Sequence, residues 1–230
     1  MSGPEKPTPW TVRDTRTIHR DRWISLRADD CVSDEGVAFS PWYVLENPDW
    51  VQVVAVTDSA EVVLIEQYRH GRAIVSLELP TGVLDRPDEA PVAAAQRELA
   101  EETGFSAREW RLLASIPVNP ANHDNLTHIV LATGAALTGT PADDPHERVR
   151  AQLRPAREVV ALARSGGITQ AMHVTGLALG LTELGLWGYR ARCRSLALPR
   201  LLPEDKRATV PQRRASGAWS GGRPKLRRTR

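Results

Sequence analysis

Three glutamates near the middle of the sequence have a spacing that suits metal binding. Glu98, Glu101 and Glu102 lie three and four positions apart in an alanine-rich run, so a helix places their carboxylates on one stripe. Like charges at this spacing destabilise a helix unless something offsets the repulsion. A hard divalent cation does so, because Mg²⁺ prefers oxygen ligands and accepts carboxylates together with substrate phosphate. The pattern indicates metal-assisted phosphoryl chemistry, although such a cluster taken alone is usually a solvated helix face.

Two glycines and a proline frame the helix that must carry these glutamates. The helix is predicted from Pro91 to Thr103, because Pro91 fits the first turn and Gly104 fits the C-terminal cap. Gly82 lies in the preceding loop, where the lack of a side chain lets the backbone pass close to a metal site. The sequence therefore predicts one loop-and-helix unit that holds the carboxylates.

The segment from Gly82 to Phe105 resembles the Nudix box. That pattern is Gly, five residues, Glu, seven residues, then Arg-Glu-apolar-x-Glu-Glu-x-Gly-apolar. Glu89 and Arg97 take its first glutamate and arginine positions, but one extra residue separates Gly82 from Glu89. The insertion falls in the loop and leaves the helix register unchanged. Weaker resemblance extends from about Ile18 to Trp187.

The resemblance implies an α/β fold, namely an α/β/α sandwich around a mixed β-sheet, with a small antiparallel sheet at the N-terminus. It implies that Glu98, Glu101 and Glu102 bind Mg²⁺, with Mn²⁺ as the alternative, and that Arg97 orients them through ion pairs. The carbonyl of Thr81 is a further metal ligand by resemblance. Glu101 or Glu102 serves as ligand or as general base, and the sequence does not separate these roles.

Flanking residues resemble the ADP-ribose and nucleotide-sugar branch of that family. The features are Glu-Gln-Tyr-Arg at 66–69, Glu-Leu-Pro-Thr-Gly at 78–82, and a final helix after Ile168. Arg69 suits a diphosphate because a guanidinium offers a planar fork of donors, and we assign Glu78 with it to substrate binding. The branch implies hydrolysis of ADP-ribose or another nucleotide sugar to a nucleoside monophosphate and a sugar phosphate.

Two later positions bear on the substrate. Pro120 lies 15 residues after Phe105, where ADP-ribose-cleaving members often carry a proline. In those members a glutamate commonly follows five residues later, whereas this chain has Asn125. We assign Pro120 and Asn125 to substrate binding, with a shifted substrate as the alternative to ADP-ribose. Glu147, in the polar loop at 143–147, resembles the position of a late catalytic glutamate.

The branch also implies a homodimer in which N-terminal strands help to cover the partner's site. In that arrangement Trp23, Trp42 or Trp50 stacks on a purine, whereas the alternative for each is packing in the core. His123 and His128 are candidates for contact with a base or a phosphate, with a structural role as the alternative.

The remaining pattern divides the chain into four parts. We predict a flexible leader at 1–14, a β-hairpin region at 15–48, the hydrolase domain at 49–188 and a basic, disordered tail at 189–230. Within the domain we predict strands at 51–56, 62–68, 74–79, 110–116 and 127–133, and helices at 157–164 and 168–187. Gly176 and Gly180 lie one turn apart in the last helix and allow a neighbouring element to approach closely.

The composition bears on the charge distribution, the state of the cysteines and the cellular location. The net charge is +2, but residues 190–230 hold 13 basic and two acidic residues, a net of +11, which leaves −9 for residues 1–189. Cys31 and Cys193 are read as two reduced thiols, because their number and separation support neither a disulfide framework nor a zinc site. No signal peptide or membrane span is recognised, so we expect a cytoplasmic protein.

Three functions from different classes follow. The leading hypothesis is a metal-dependent hydrolase of a nucleotide sugar. The second is a nucleotide-sensing module of the same fold, which the retained Glu98, Glu101 and Glu102 disfavour. The third is action on the 5′ end of RNA through the basic tail; nucleic acid is the less favoured partner, because aromatic residues are sparse there.

Overall fold

The computed structural model describes residues 7–84, 88–142 and 148–188. They form twelve strands and three helices, which follow one another along the chain as β1 Thr11–Arg20, β2 Ser25–Val32, β3 Ala38–Glu46, β4 Trp50–Val56, β5 Glu61–Arg69, β6 Ile74–Glu78, β7 Thr81–Val83, α1 Pro91–Thr103, β8 Phe105–Ser106, β9 Glu109–Pro117, β10 Leu126–Thr133, β11 Ala136–Leu137, β12 Val149–Pro155, α2 Ala156–Ser165 and α3 Ala171–Glu183. None of the helices in these residues is long and apolar enough to cross a membrane.

An antiparallel sheet in the order β1-β2-β3 precedes the rest of the fold. The predicted hairpin is present as β2 and β3, with Gly36 at a φ of 80° in the turn between them. The predicted leader at 1–14 was wrong in its last residues, because β1 begins at Thr11 and pairs with β2 along its length. Every residue of β1 is exposed, so it lacks the alternation of buried and exposed side chains that marks a strand in sequence.

The central sheet has seven strands and mixed direction. Its main path is β12-β5-β4-β10-β9, with β6 paired to β5 and β7 paired to β4. The β4–β10 pair is parallel, while the other pairs are antiparallel. The predicted strands of this sheet are present, but β7 and β12 were not predicted. In β12 arginine and glutamine alternate with Val149, Ala151 and Leu153, but the strand was missed because it is short, follows the polar run at 143–147 in the sequence and has no buried residue.

Helices cover both faces of the central sheet. On one face, α1 packs through Leu99 against Val53 and Val63; on the other, α2 and α3 pack through residues such as Val160 and Leu177. Each face buries an apolar cluster, and burial of this kind is the dominant favourable contribution to folding. The arrangement is the expected α/β/α sandwich with a small N-terminal antiparallel sheet, so the predicted fold class is confirmed.

The last helix is shorter than predicted but packs as expected. It spans 171–183 rather than 168–187, because Gln170 is extended and Gly185 takes a φ of 70° just after the helix. A β-carbon at Gly180 would lie 2.7 Å from Cγ1 of Val54, and one at Gly176 would lie 2.3 Å from Oε1 of Gln52. The two glycines therefore allow α3 to lie directly on β4.

Candidate active site

The first helix presents the three glutamates at one side of the central sheet. It begins at Pro91 and ends at Gly104, whose φ of 72° and N–H bond to the carbonyl of Ala100 form a left-handed cap. Both ends therefore match the sequence prediction. Glu98 and Glu102 are buried, at 8% and 5% exposure, whereas half of the Glu101 side chain is exposed. Two carboxylates of the stripe are thus withdrawn from bulk water beside the third.

Arg97 draws the acidic side chains together. Its Nη1 donates to Oε1 of Glu98 at 2.6 Å and to Oε2 of Glu101 at 3.2 Å. Its Nε and Nη2 donate to the two oxygens of Glu89, each at 3.2 Å, and Nη2 also donates to the Val83 carbonyl at 3.1 Å. The hydrogen bonds to Glu89 and then Glu98 raise the pKa of Arg97 above its usual value. One guanidinium therefore links the helix to the loop before it.

The backbone of β7 lies directly against the acidic face of α1, which is the face that carries Glu98, Glu101 and Glu102. Antiparallel pairing of β7 with β4 sets Gly82 opposite Val51. A β-carbon at Gly82 would fall 1.8 Å from the carboxyl carbon of Glu98, so a side chain at 82 would displace that carboxylate. The N–H of Thr81 donates to Oε2 of Glu102 at 3.0 Å. Gly82 is thus required by close approach, as the sequence suggested, and Thr81 joins the site through its backbone.

The acidic face has the chemistry of a divalent-cation site. Its donors are carboxylate oxygens beside the peptide backbone of β7, and oxygen atoms are the hard ligands that Mg²⁺ prefers. Within the described ranges, no three His, Cys, Asp or Glu side chains converge as a metal-binding group. Arg97 instead takes Glu89, Glu98 and Glu101 into ion pairs. The donor set fits a cation that shares these carboxylates with the arginine.

A second cluster lies across β5, β6 and α3. Arg69 donates from Nε to both oxygens of Glu78, at 3.0 and 3.1 Å, and from Nη2 to Oε2 at 2.5 Å. Glu78 is 1% exposed, and its Oε2 also lies 3.1 Å from Nε2 of the fully buried His173. Burial alone raises the pKa of Glu78, but the hydrogen bonds from His173 and Arg69 outweigh it and lower the pKa to about 2. Glu78 is therefore a buried, ionised partner of Arg69.

This cluster borders a cavity of about 580 Å³, which falls within the range of small-ligand sites. Arg69 remains 42% exposed in its side chain while its guanidinium is held by Glu78. The cavity is lined by the residues Arg69, Gly71, Arg72, Ile74, Ser76, Glu78, Thr169 and Gln170. The structure therefore brings both predicted substrate-binding residues, Arg69 and Glu78, to one cavity.

His173 is the residue of this cluster that sequence reasoning missed. A single histidine in a helix carries no motif, so the sequence alone assigns no role to it. The signal that would have found it is the coincidence of a buried acid, Glu78, with a histidine on an otherwise apolar helix face. That coincidence needs the fold, since the two residues lie 95 positions apart.

The remaining predicted site residues lie elsewhere. Pro120 is exposed on the loop between β9 and β10, and the Asn122 N–H bond to the Asn119 carbonyl closes a turn around it. Asn125 is buried, and its Nδ2 donates to the Pro48 carbonyl at 3.0 Å. Glu147 lies outside the described residues, as does the tail from 189 onward.

Asp49 is hydrogen-bonded both to this loop and to the segment from Gly82 to Phe105. Its backbone carbonyl accepts from Leu84 N–H at 2.9 Å, and its Oδ1 accepts from Leu126 N–H at 2.7 Å. Asn125 is therefore on the loop that meets the start of β4, beside β7. His128 is buried and bonds to Ser115 through Nδ1 at 2.8 Å, which assigns it a structural contact.

Comparison with known proteins agrees with this geometry. Residues 47–170, more than half of the chain, match the NUDIX domain. The chain belongs to the Nudix hydrolase family. Residues 10–45, which include β1, β2 and most of β3, match the nucleoside diphosphate sugar hydrolase N-terminal domain. The resemblance identified from Gly82 to Phe105 is confirmed.

Individual relatives of this Nudix chain are named for different nucleotide substrates. It is 30% identical over 165 residues to the ADP-ribose pyrophosphatase of Mycobacterium tuberculosis, covering 71% of this chain and 79% of that one. It is 32% identical over 185 residues to the CMP-5'-(N-acetyl-N-hydroxy-3-aminopropyl)phosphonate hydrolase of Streptomyces rubellomurinus, covering 79% and 85%. A crystal structure of ADP compounds hydrolase superposes with a TM-score of 0.70 at 24% identity, covering 80% and 99%, which shows the shared fold.

Proposed function

We propose that this protein hydrolyses the pyrophosphate bond of a nucleotide sugar in a reaction that depends on a divalent metal ion. ADP-ribose is the proposed substrate, and AMP and ribose 5-phosphate are the products. The observation that carries the proposal is the contact of the buried Glu98 carboxylate with the backbone of Gly82. Arg97 donates a hydrogen bond to this carboxylate, and Glu102 lies one helical turn further along. The similarity to a chain named ADP-ribose pyrophosphatase supports the substrate class.

The metal is assigned to the acidic face of α1. Glu98, Glu101 and Glu102, with the carbonyl of Thr81, would hold Mg²⁺, and Mn²⁺ has the same preference for oxygen ligands. Such an ion supplies Lewis acidity at a phosphoryl oxygen and stabilises the charge of the departing phosphate. Arg97 would keep the carboxylates oriented when the substrate is absent, because it contacts both Glu98 and Glu101.

The chain's own groups divide the remaining work. Arg69 would bind an oxygen of the diphosphate, since its side chain borders the cavity and a guanidinium forms charge-assisted hydrogen bonds with phosphate. Glu78 acts through Arg69 rather than on the substrate, because its carboxylate is already bonded to Arg69 and His173. Glu101, Glu102 or Glu147 would accept the proton of the attacking water.

The loop that carries Pro120 and Asn125 is proposed to border the sugar or base. Its support is position: Asp49 links the backbone at Leu126 to the backbone at Leu84, in the segment between β7 and α1. Because the Asn125 amide already donates to Pro48, we assign Asn125 to shaping the loop. Pro120, which is exposed, is the residue that remains available for a substrate contact.

A homodimer is proposed through the N-terminal sheet. β1 is exposed along its whole length, and Trp10, the residue before it, is exposed together with Trp42 and Tyr43 of β3. Trp10 stacks on Phe39 with ring centroids 4.1 Å apart and meets Trp42 edge-on at 5.1 Å, which makes one continuous aromatic cluster. Large aromatic side chains are enriched at protein interfaces. Trp23, 76% exposed, is free of the core and is proposed to reach the partner's site.

The test is a substrate panel with product identification by mass. The purified protein is incubated with Mg²⁺ and with ADP-ribose, other nucleotide sugars, CMP-linked phosphonates, NADH, coenzyme A or capped RNA. Glu102→Gln and a chelated sample run in parallel. We expect metal-dependent release of AMP from ADP-ribose, lost in Glu102→Gln, because the amide removes a carboxylate oxygen while keeping the side-chain shape.

Each other outcome has a distinct meaning. Cleavage of a different nucleotide sugar would leave the proposed mechanism unchanged, and the loop at 119–125 would then be the region to test for the altered substrate preference. Cleavage of capped RNA that is lost in a chain ending at Gly188 assigns the activity to the basic tail. Binding of ADP-ribose without cleavage of any compound contradicts the hydrolase and supports a nucleotide sensor.

A further inference from the structure

His173 is a fully buried histidine outside the acidic face, and the proposed hydrolysis gives it no role. It lies in the first turn of α3, and its Nε2 is 3.1 Å from Oε2 of Glu78. The Trp50 ring lies edge-on to His173, with the ring centroids 6.4 Å apart and the rings almost perpendicular. Burial of such a polar ring is costly unless it is hydrogen-bonded, so the contact with Glu78 stabilises the ring in this position.

The direction of the hydrogen bond follows from the partners. Arg69 grips both oxygens of Glu78, so this carboxylate is ionised and can only accept. The hydrogen must therefore be on Nε2 of His173. Nδ1 has no hydrogen-bond partner within the described part of the chain. Donation from Nε2 to Glu78 is therefore the hydrogen bond that holds the buried ring.

The packing of α3 determines the position of the Nε2–H donor of His173. Gly176 and Gly180, one and two turns after His173, place the helix directly on Gln52 and Val54 of β4. Leu177 and Leu181, the residues that follow the two glycines, are fully buried. His173 is therefore held by the core, whereas Arg69 is 42% exposed and lies at the cavity. Of the two partners of Glu78, the histidine is the rigid one.

We propose that His173 is a positioning residue for substrate binding: it fixes the carboxylate of Glu78, and Glu78 in turn sets the direction in which Arg69 presents its guanidinium to the cavity. The chain of contacts runs from the core helix through the buried acid to the cavity edge. It rests on the proposed function, because the ligand of Arg69 is taken to be the diphosphate. No bond is made or broken by His173, so its effect falls on substrate binding and not on the chemical step.

Three variants separate this role from simple core packing. His173→Leu keeps a buried apolar volume and removes the donor. His173→Gln keeps an N–H at the distance of Nε2, whereas the amide of His173→Asn is one methylene short of Glu78. Arg69→Lys removes the planar fork at the far end of the chain of contacts. Combining it with His173→Leu gives a double-mutant cycle.

The kinetic readout is KM and kcat for the nucleotide cleaved fastest in the substrate panel. We expect His173→Leu to raise KM about 10-fold with kcat within about 3-fold, because loss of a charge-assisted orienting bond weakens binding without touching the reacting atoms. His173→Gln restores KM, and His173→Leu adds nothing to Arg69→Lys. An unchanged KM, or effects that add in full, overturns the proposal. His173→Asn replaces His173→Leu if the latter does not fold.

A second readout does not depend on activity. The Nε–H resonance of Arg69 in the ¹⁵N-labelled protein, assigned with Arg69→Lys, is expected to shift and broaden in His173→Leu and to recover in His173→Gln. An unperturbed Arg69 resonance in His173→Leu overturns the positioning role even if the enzyme is active. If no nucleotide is cleaved and the resonance still responds to His173, the hydrolase proposal fails while the positioning role stands.

Discussion

Gly82 and Glu98 lie so close that the carboxyl carbon of Glu98 occupies the space of a side chain at position 82, 1.8 Å from where a β-carbon would be. Position 82 needs a glycine because there is no space for a side chain, and not because of an unusual backbone conformation, since the φ of Gly82 is not positive. The position of the Glu98 carboxylate therefore depends directly on the residue at 82.

Gly82→Ala is expected to abolish most of the activity while the fold remains. The new methyl group must push the Glu98 carboxylate aside, and a misplacement of about 1 Å in a catalytic group lowers kcat about 100-fold. Glu98 is a flexible side chain, so the melting temperature should change little. Gly188→Ala is the control, since a β-carbon there meets nothing within 4 Å. Activity of Gly82→Ala close to that of the control would contradict the importance of this contact.

Arg97→Lys is expected to raise the Mg²⁺ concentration needed for half-maximal activity and to lower kcat about 10-fold. A lysine is a point charge and cannot bond Glu89, Glu98 and Glu101 at once, as the guanidinium does. The measurement is a Mg²⁺ titration of initial rate. Arg108→Lys is the matched control, because its pair with Asp58 is exposed on both sides. Equal titration curves for the two variants would show that Arg97 does not position the metal-binding carboxylates.

Glu78 should make the fold sensitive to acid. Its pKa falls from an ordinary value of 4.5 to about 2 in the folded chain. Because the folded pKa is the lower one, the ionised group stabilises the fold above about pH 4.5, and this contribution is lost as the pH falls toward 2. Melting of the wild-type protein and Glu78→Gln is compared from pH 7 to pH 2.5, with Glu35→Gln at an exposed turn as control.

The expected result is a stability difference between wild type and Glu78→Gln that is constant near neutral pH and shrinks below pH 4.5. A difference that grows on acidification would show that Glu78 is protonated in the folded chain, contrary to its two hydrogen-bonded partners.

Gly180→Ala is expected to lower the free energy of unfolding without a specific effect on kcat. The β-carbon would lie 2.7 Å from Cγ1 and 2.9 Å from Cβ of Val54, a buried residue of a central strand that has no room to move. Overpacking of this kind costs about 1–3 kcal/mol, which exceeds the gain in helix propensity of about 1 kcal/mol. Urea unfolding measures the change.

Thr182→Ala, at an exposed position of the same helix, is the control for Gly180→Ala and should be neutral or slightly stabilising. If Gly180→Ala were as stable as this control, α3 would not lie as close to β4 as the structure has it.

The elements with strong local signals could be predicted from sequence, as α1 shows. Pro91, Gly104 and the three glutamates fixed its ends and its acidic face, because a proline at the start and a glycine at the end act locally. β1 could not be predicted because all its residues are exposed and its apolar residues do not alternate with polar ones. β12 could not be predicted because it is short and charged and has no buried residue. The contact of His173 with Glu78 depends on how α3 crosses the sheet, which no local pattern encodes.

The substrate side was predictable only through resemblance. Arg69 and Glu78 were chosen from flanking residues of a motif, and the structure joins them in one ion pair at a cavity. Asn125 was chosen by its offset from Pro120, yet its amide is bonded to Pro48. Offsets along a loop do not determine which way a side chain faces, whereas strand pairing does.

The edge strand β12 limits how two copies of this chain can associate. It pairs with β5 on one side, and it carries Arg150 and Arg154 before ending at Pro155. Charged side chains and a terminal proline at a sheet edge oppose pairing with a further backbone. Extension of the central sheet by backbone pairing is therefore disfavoured at the β12 edge, so a second copy that meets this edge would have to contact it through side chains.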